Sequence, residues 1–245
     1  MIFHLNDKQF IDTAKGNDIS IALTNDEQNP RAWYVDPPVF EPVRANGFIG
    51  SVAEGGGVNF RNIFFNPHGH GTHTECLGHI TDEVYSINQH LKSYFFKAKV
   101  VSVEAEKRGE DLVVAMNSFP ALEGNFEAII IRTLPNTEAK KHLNYSATNP
   151  PYLDLDVIYL LEKHQVKHLL LDLPSVDREE DGGVLAFHHA FWKVPENPQF
   201  DKTITELIYV SDEIKDGDYI LNLQTAPFEN DASPSRPVLF EILEK

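Results

Sequence analysis

Apolar residues along the chain form short clusters of strand length and one stretch with helical spacing. Clusters at residues 99–104, 128–133 and 168–172 predict strands, and the last two are continuous enough to be buried on both faces. Between these two, Leu153–His164 has apolar residues at helical spacing, which predicts a strand–helix–strand unit. Further strands are predicted at residues 204–210, 219–224 and 237–243. The pattern indicates an α/β fold with a mixed sheet and more strand than helix.

The first 57 residues carry weaker signals. Helical spacing of apolar residues within 6–15 predicts a short helix, and alternation at residues 19–23 predicts a strand. Residues 25–57 are rich in Pro, Asn and Gly, which is typical of a long irregular loop, and such loops are often functional. Trp33, Tyr34 and Phe48 fall in this stretch, so we expect them either to line a substrate pocket or to belong to the core.

Composition excludes several classes of partner. The formal net charge of −16 repels phosphate backbones and anionic lipid surfaces, so we expect neither nucleic acid nor membrane as a partner. The single cysteine, Cys76, excludes an intramolecular disulfide and argues against a cysteine-based zinc site. The chain has no apolar run typical of a signal peptide or a membrane span, which favours the cytoplasm. No feature marks a domain boundary, so we expect one domain over residues 1–245 acting on a small molecule.

The most informative segment is NPHGHGTHTECLGHI, at residues 66–80. Within twelve residues it holds four of the eleven histidines and a glutamate: His68, His70, His73, Glu75 and His79. His73 and Glu75 are two apart, so an extended strand would point both to one side, and neighbouring glycines would let His68 or His70 join them. Imidazole and carboxylate are common ligands of divalent metals, so the segment predicts a metal site. The competing interpretations are a histidine-rich surface loop that binds nothing specific and a protein that only buffers metal through this cluster.

The segment resembles the signature G-T-H-x-[DE]-x-x-x-H, preceded by a further histidine, of the cyclase/kynurenine formamidase-like family of metal-dependent hydrolases. Further motifs of that family are matched in order at Asp18–Ser20, Leu173–Asp177, Phe187–Phe191, Ile204–Ile208 and Pro227–Pro237. The resemblance therefore extends over about residues 18 to 243.

This resemblance implies a swivelling β/β/α domain that assembles as a homo-oligomer and hydrolyses an amide. The implied substrate is an N-formyl arylamine such as N-formylkynurenine, or a cyclic amide. The implied metal is Zn(II) or Mn(II), one or two per chain, with the ligands His68, His73, Glu75, His188 and Glu206. Glu75 would bridge the two metals, and His79 would be the catalytic acid/base.

The chain also departs from the family pattern. Two residues separate His68 from Gly71, which leaves His70 as a rival first ligand, and Glu75 stands where aspartate is usual. Leu77 replaces the usual proline, and residues 195–200 form an insertion before Glu206. These departures motivate an alternative function, a catalytically silent relative that binds a small metabolite.

Other side chains have competing interpretations. Thr72 could orient a ligand through its hydroxyl, and Asp177 could brace a ligand histidine. Ser175 with Asp177 could form a serine-type site, although no nucleophile-elbow motif is present. Cys76 is either a nucleophile or a packing residue, and Glu206 is either a ligand or an edge-strand residue facing water.

Overall fold

Strands dominate the fold, so the predicted α/β class with more strand than helix is confirmed. The computed structural model describes residues 1–245, with three α-helices and nineteen strands. The strands are β1 (Ile2–His4), β2 (Gln9–Asp12), β3 (Asn17–Asp18), β4 (Val39–Pro42), β5 (Arg44–Ala45), β6 (Phe48–Ile49), β7 (Arg61–Phe64), β8 (His73–Glu75), β9 (Phe95–Glu104), β10 (Glu106–Arg108), β11 (Asp111–Val114), β12 (Ala128–Leu134), β13 (Tyr152–Leu153), β14 (His168–Leu171), β15 (Thr203–Glu206), β16 (Gly217–Asn222), β17 (Ala232–Pro234), β18 (Val238–Glu241) and β19 (Leu243–Glu244). The α-helices are α1 (Ile87–His90), α2 (Val157–Lys163) and α3 (Ala186–Trp192), and 3-10 turns lie at Val52–Glu54, Leu77–Ile80, Met116–Ser118 and Glu138–His142.

A nine-stranded sheet runs through the molecule in the order β17-β8-β15-β14-β12-β9-β16-β18-β3. Its centre is parallel, because β12 pairs in parallel with both β9 and β14, and β14 with β15. Strand β8 then pairs antiparallel with β15, and β17 antiparallel with β8. The start of β8 therefore lies beside the carboxyl end of β15, at the edge of the sheet where parallel α/β proteins hold their ligands.

The core lies on both faces of this sheet. Alternate residues of β12 enter different apolar clusters: Ile129 and Ile131 pack with α2 and α3, whereas Ile130 packs with the opposite cluster. Burial of both faces explains why β12 and β14 read as continuous apolar runs, and the predicted strand–helix–strand unit β12–α2–β14 is confirmed.

The helix predicted within residues 6–15 is wrong. Residues 9–12 form β2, which pairs antiparallel with β1 and with β19 from the other end of the chain. The side chain of Asn6 accepts hydrogen bonds from the backbone N–H groups of Lys8 and Gln9, each at 2.9 Å, and so stabilises the turn between β1 and β2.

The strand predicted at residues 19–23 is wrong, and the irregular loop predicted at residues 25–57 is confirmed only in part. In place of the strand predicted at residues 19–23 the regular structure ends at Asp18, although Ile19 is fully buried. Residues 25–57 contain three short strands, β4 to β6, and β4 pairs with β7 to form a hairpin outside the main sheet. The longest α-helices have seven residues, and none has the length and apolar character needed to cross a membrane.

Candidate metal centre

Strand register brings three of the predicted side chains onto one face at the sheet edge. His73 and Glu75 lie two apart on β8, and His73 is the direct cross-strand partner of Glu206 on β15. The intervening Thr74 faces the other way and hydrogen-bonds Thr205 at 2.8 Å. His73 Nε2 lies 3.4 Å from a carboxylate oxygen of Glu206, and all three side chains are buried. Glu206 is thus on an interior strand, which excludes the water-facing edge position.

His68 and His79 approach the same carboxylate from the two ends of the histidine segment. His68 Nδ1 lies 3.1 Å and His79 Nε2 lies 3.9 Å from Oε2 of Glu75. The 3-10 turn that follows β8 turns His79 back over the site, where its ring stacks on that of His68 at a centroid distance of 4.3 Å. His79 remains about one-third exposed, so it faces the opening of the site.

His188 completes the cluster from α3. Its Nε2 lies 3.1 Å from Oε1 of Glu75, and its Nδ1 lies 2.6 Å from the carboxylate of Asp177. The same carboxylate accepts the backbone N–H groups of Phe187 and His188, so Asp177 fixes both the start of α3 and the ring of His188. The neighbouring His189 faces away and pairs with the carbonyl of Val194.

Two buried atoms of the cluster have no hydrogen-bond partner, namely His73 Nε2 and Glu75 Oε2. An unpaired buried polar atom is costly, and native proteins rarely keep one without a reason such as a bound ion. Both atoms belong to groups with metal-ligand spacing, one formed by His68, Glu75 and His79 and the other by His73, Glu75 and Glu206. These residues fit a divalent cation, because the donors are all imidazole and carboxylate and Glu75 is common to both groups.

The carboxylates and imidazoles of the cluster shift one another's pKa values. Burial would raise the pKa of Glu75, but His79, His188 and His68 outweigh it and hold that pKa well below its usual range. Burial would lower the pKa of His68, but the hydrogen bond to Asp231 and the charge of the nearby Glu75 carboxylate outweigh it and raise that pKa to about 10. The pKa of His188 is likewise raised to about 10, against burial, by Asp177 and Glu75. A metal would have to displace protons from these rings to bind.

The structure favours His68 over His70 as the first metal ligand. Both ring nitrogens of His70 are engaged elsewhere: Nδ1 accepts the backbone N–H of Asn66 at 2.7 Å, and Nε2 lies 2.6 Å from the carbonyl of Asp36. His70 is outside the cluster and holds the loop that precedes β8. Thr72 also differs from expectation, because its hydroxyl donates to the carbonyl of Leu207 and accepts the N–H of Ile21 instead of orienting a ligand.

Neither of the alternative nucleophiles, Cys76 and Ser175, is hydrogen-bonded to a general base. The thiol of Cys76 points to the carbonyl of Tyr85, and burial raises its pKa to about 12, so it is a packing residue. The hydroxyl of Ser175 accepts the backbone N–H of Asp177 at 3.1 Å and is bonded to no histidine. Neither arrangement resembles a nucleophile paired with a general base.

Sequence reasoning missed one acidic side chain at the site. Asp231, just before β17, places Oδ2 2.8 Å from His68 Nε2 and 3.3 Å from His79 Nδ1. It lies 152 residues from His79 along the chain, and only the pairing of β17 with β8 brings the two together. The available signal was its position inside the segment Pro227–Pro237, which the family resemblance already marked.

A cavity of about 340 Å³ opens onto the cluster. Its lining combines cluster members with four other side chains that face the opening: Trp33, Asn66, Ser175 and Leu185. Of the aromatic residues predicted to wall a pocket, Trp33 does so, whereas Tyr34 is exposed and Phe48 lies on β6 away from the cavity. The volume suits a small molecule with one aromatic ring.

Comparisons with known proteins identify the family of this chain and agree with its fold. The family described as putative cyclase matches residues 17–178. A kynurenine formamidase from Bacillus anthracis is 26% identical over 230 residues, which is 93% of this chain and 98% of that protein. A solved structure described as a potential metal-dependent hydrolase with cyclase activity has a TM-score of 0.64 at 14% identity, covering 92% of this chain and 97% of that one. Isatin hydrolase A from Labrenzia aggregata, bound to benzyl benzoate, has a TM-score of 0.62 at 14% identity, with coverages of 92% and 93%.

Proposed function

The chain belongs to the putative cyclase family, and from this we propose that it is a metal-dependent hydrolase of a small aryl amide. The observation that carries the proposal is the pair of buried, unpartnered atoms on His73 and Glu75, inside a cluster of metal-ligand side chains that faces a substrate-sized cavity. Relatives named for kynurenine formamidase and isatin hydrolase act, by those names, on amides of aromatic compounds.

The ligands we assign are His68, His73, Glu75, His188 and Glu206. Zn(II) or Mn(II) suits this set, which contains no thiolate. A bound divalent cation lowers the pKa of water and polarises a carbonyl as a Lewis acid. The two glutamates offset the charge of one cation, and Glu75, which belongs to both candidate groups, is placed to serve a second.

The chain's own acid/base in this proposal is His79. Its Nε2 faces Glu75 while its ring borders the cavity, so it can take a proton from the attacking water and return it to the leaving nitrogen. Because the same proton is taken and returned, the net reaction adds one water across the C–N bond. Asp177 bonds Nδ1 of His188 on the side away from Glu75, and in this proposal it holds the ring of that ligand in place.

The residues that line the cavity restrict the class of substrate that it can bind. Trp33 and Leu185 offer apolar contact, and no lysine or arginine lines the cavity. A substrate with a free carboxylate would find no lysine or arginine side chain to pair with there. We therefore favour an uncharged aryl amide, either a formanilide or an isatin-like cyclic amide, over N-formylkynurenine.

The test is hydrolysis of formanilide, isatin and N-formylkynurenine by the zinc- or manganese-loaded protein, with and without a chelator. We expect turnover of at least one uncharged amide, sensitivity to chelation, and loss of turnover in His79→Ala with metal retained. His189→Ala is the matched control, because His189 is adjacent to a ligand and faces away, and it should behave as wild type. Metal-loaded protein that hydrolyses none of these amides would favour the silent, metabolite-binding alternative.

A further inference from the structure

Asp231 contacts two histidines of different function through one oxygen. The register of β17 on β8 places Ala232 opposite Glu75, so the preceding residue falls beside the cluster. Its backbone carbonyl accepts the N–H of Cys76 at 3.0 Å, which fixes the chain on both sides of the contact. From there Oδ2 lies 2.8 Å from His68 Nε2 and 3.3 Å from His79 Nδ1.

An ionised carboxylate can only accept hydrogen bonds. Both ring nitrogens that face Asp231 must therefore carry hydrogen: Nε2–H on His68 and Nδ1–H on His79. The remaining nitrogens face Glu75, at 3.1 Å for His68 Nδ1 and 3.9 Å for His79 Nε2. Without metal, His68 Nδ1 also holds a proton against that carboxylate; a bound cation would displace this proton, and Nδ1 would then present its lone pair on the side where Nε2 of neutral His79 presents one. One oxygen thus orients both lone pairs towards the metal cluster.

The other two histidines of the cluster are held in the same way as His79 and opposite to His68. His73 Nδ1 lies 2.9 Å from the carbonyl of Gly71, and His188 Nδ1 lies 2.6 Å from Asp177, so both rings present Nε2. His68 is the exception, because its outer contact is through Nε2. The difference follows from Asp231 and does not follow from the histidine spacing.

We propose that Asp231 is a positioning residue that sets two tautomers at once, making His68 a metal ligand through Nδ1 and His79 the acid/base through Nε2. The part that concerns His79 rests on the proposed hydrolase function. In that reaction Nε2 takes the proton of the attacking water, the resulting imidazolium is stabilised by Asp231, and the same proton leaves with the amine nitrogen as the C–N bond breaks. Asp231 itself neither gains nor loses a proton.

The direct test needs no turnover. In zinc-loaded protein labelled with ¹⁵N-histidine, two-bond ¹H–¹⁵N spectra report which ring nitrogen carries hydrogen. We expect wild type to show His79 as the Nδ1–H form and His68 with hydrogen on Nε2. In Asp231→Ala we expect His79 to move to the Nε2–H form that free imidazole side chains prefer in water, and zinc affinity to fall roughly 10–100-fold, as for other outer-shell carboxylates.

The kinetic test separates positioning from a general loss of structure. With an amide that wild type hydrolyses, Asp231→Ala should lower kcat by about 10–100-fold at saturating metal with little change in KM. The same substitution added to His79→Ala should cause no further loss, because Asp231 would act through His79. Glu229→Ala is the matched control, because this residue lies two positions away, is exposed and accepts hydrogen bonds from Asn88 and Gln89. The substitution perturbs the same segment of chain but removes no contact with the histidine cluster.

An unchanged His79 tautomer in zinc-loaded Asp231→Ala would overturn the proposal, as would an equal loss of kcat with and without His79. Should the alanine variant not fold, Asp231→Ser provides the same test with a small polar side chain. If wild type hydrolyses no amide but the tautomers shift as described, the positioning role stands and the hydrolase function fails. The two claims are thereby distinguished.

Discussion

Metal binding should raise the thermal stability of the protein, because the buried cluster binds metal only in the folded state. In the metal-free protein His73 Nε2 and Glu75 Oε2 are buried without hydrogen-bond partners, and an unsatisfied atom of this kind costs about 1–3 kcal/mol. A ligand that binds only the folded state adds about 2.7 kcal/mol at 100 times its Kd. For a chain of this length 1 kcal/mol shifts Tm by about 2–4 °C, so we expect a rise of about 5–11 °C.

The assay is scanning calorimetry of chelator-treated protein before and after zinc or manganese is added. His188→Ala should lose most of the shift, and the adjacent His189→Ala should keep it, because only His188 contacts Glu75. A shift below about 1 °C at saturating metal would refute the reasoning. An equal shift in wild type and His73→Ala would also refute it, because the metal would then bind elsewhere.

Three further predictions concern acid stability, the thiol and assembly. Burial lowers the pKa of His168 to about 4, so as pH falls from about 6.5 to 4 the unfolded chain binds a proton there before the folded chain does, and the free energy of unfolding decreases. His168→Gln should remove on the order of 3 kcal/mol of that decrease, measured by urea unfolding at both pH values. Because burial raises the pKa of Cys76 to about 12, a thiol reagent at pH 8 should react with it only in urea, and rapid labelling of native protein would contradict its packing role. The homo-oligomer stays a prediction. Phe60, just before β7, is more than half exposed, and Ile63, on β7, is half exposed. If a second copy covers this hairpin, replacing both residues by Ser should shift the molecular mass measured by light scattering towards that of the monomer.

The central strands could be predicted because burial on both faces leaves a continuous apolar run in the sequence. Their ends could not be predicted with the same accuracy. The run predicted at residues 204–210 leaves the sheet after Glu206, because Leu207 takes a left-handed backbone with φ of 53° and its N–H pairs with Leu173. That turn leaves Glu206 at the end of the strand, beside His73.

The N-terminal helix was mispredicted because local spacing carries no information about distant pairing. Phe10 and Ile11 fit a helical face, but β2 joins both β1 and the chain's last strand, β19. Apolar residues that serve such a short three-stranded sheet need no strict alternation, so their spacing does not distinguish the two structures.

The candidate site was predictable to the extent that it is local. The two-residue period placed His73 and Glu75 together, and the family resemblance pointed to His188 and Glu206 from distant segments. Asp231 could not be found in this way, because its contacts with His79 and His68 span more than 150 residues and depend on the register of β17. The choice between His68 and His70 also required the structure, since it rests on which imidazole already has two partners.

The most direct test of the account is metal content per chain, measured by elemental mass spectrometry on protein purified without added metal. The account predicts near-stoichiometric zinc or manganese in wild type and in His189→Ala, and its loss in His73→Ala. No bound metal in wild type, even after incubation with zinc and manganese, would contradict the account and leave the cluster as a binding site of another kind.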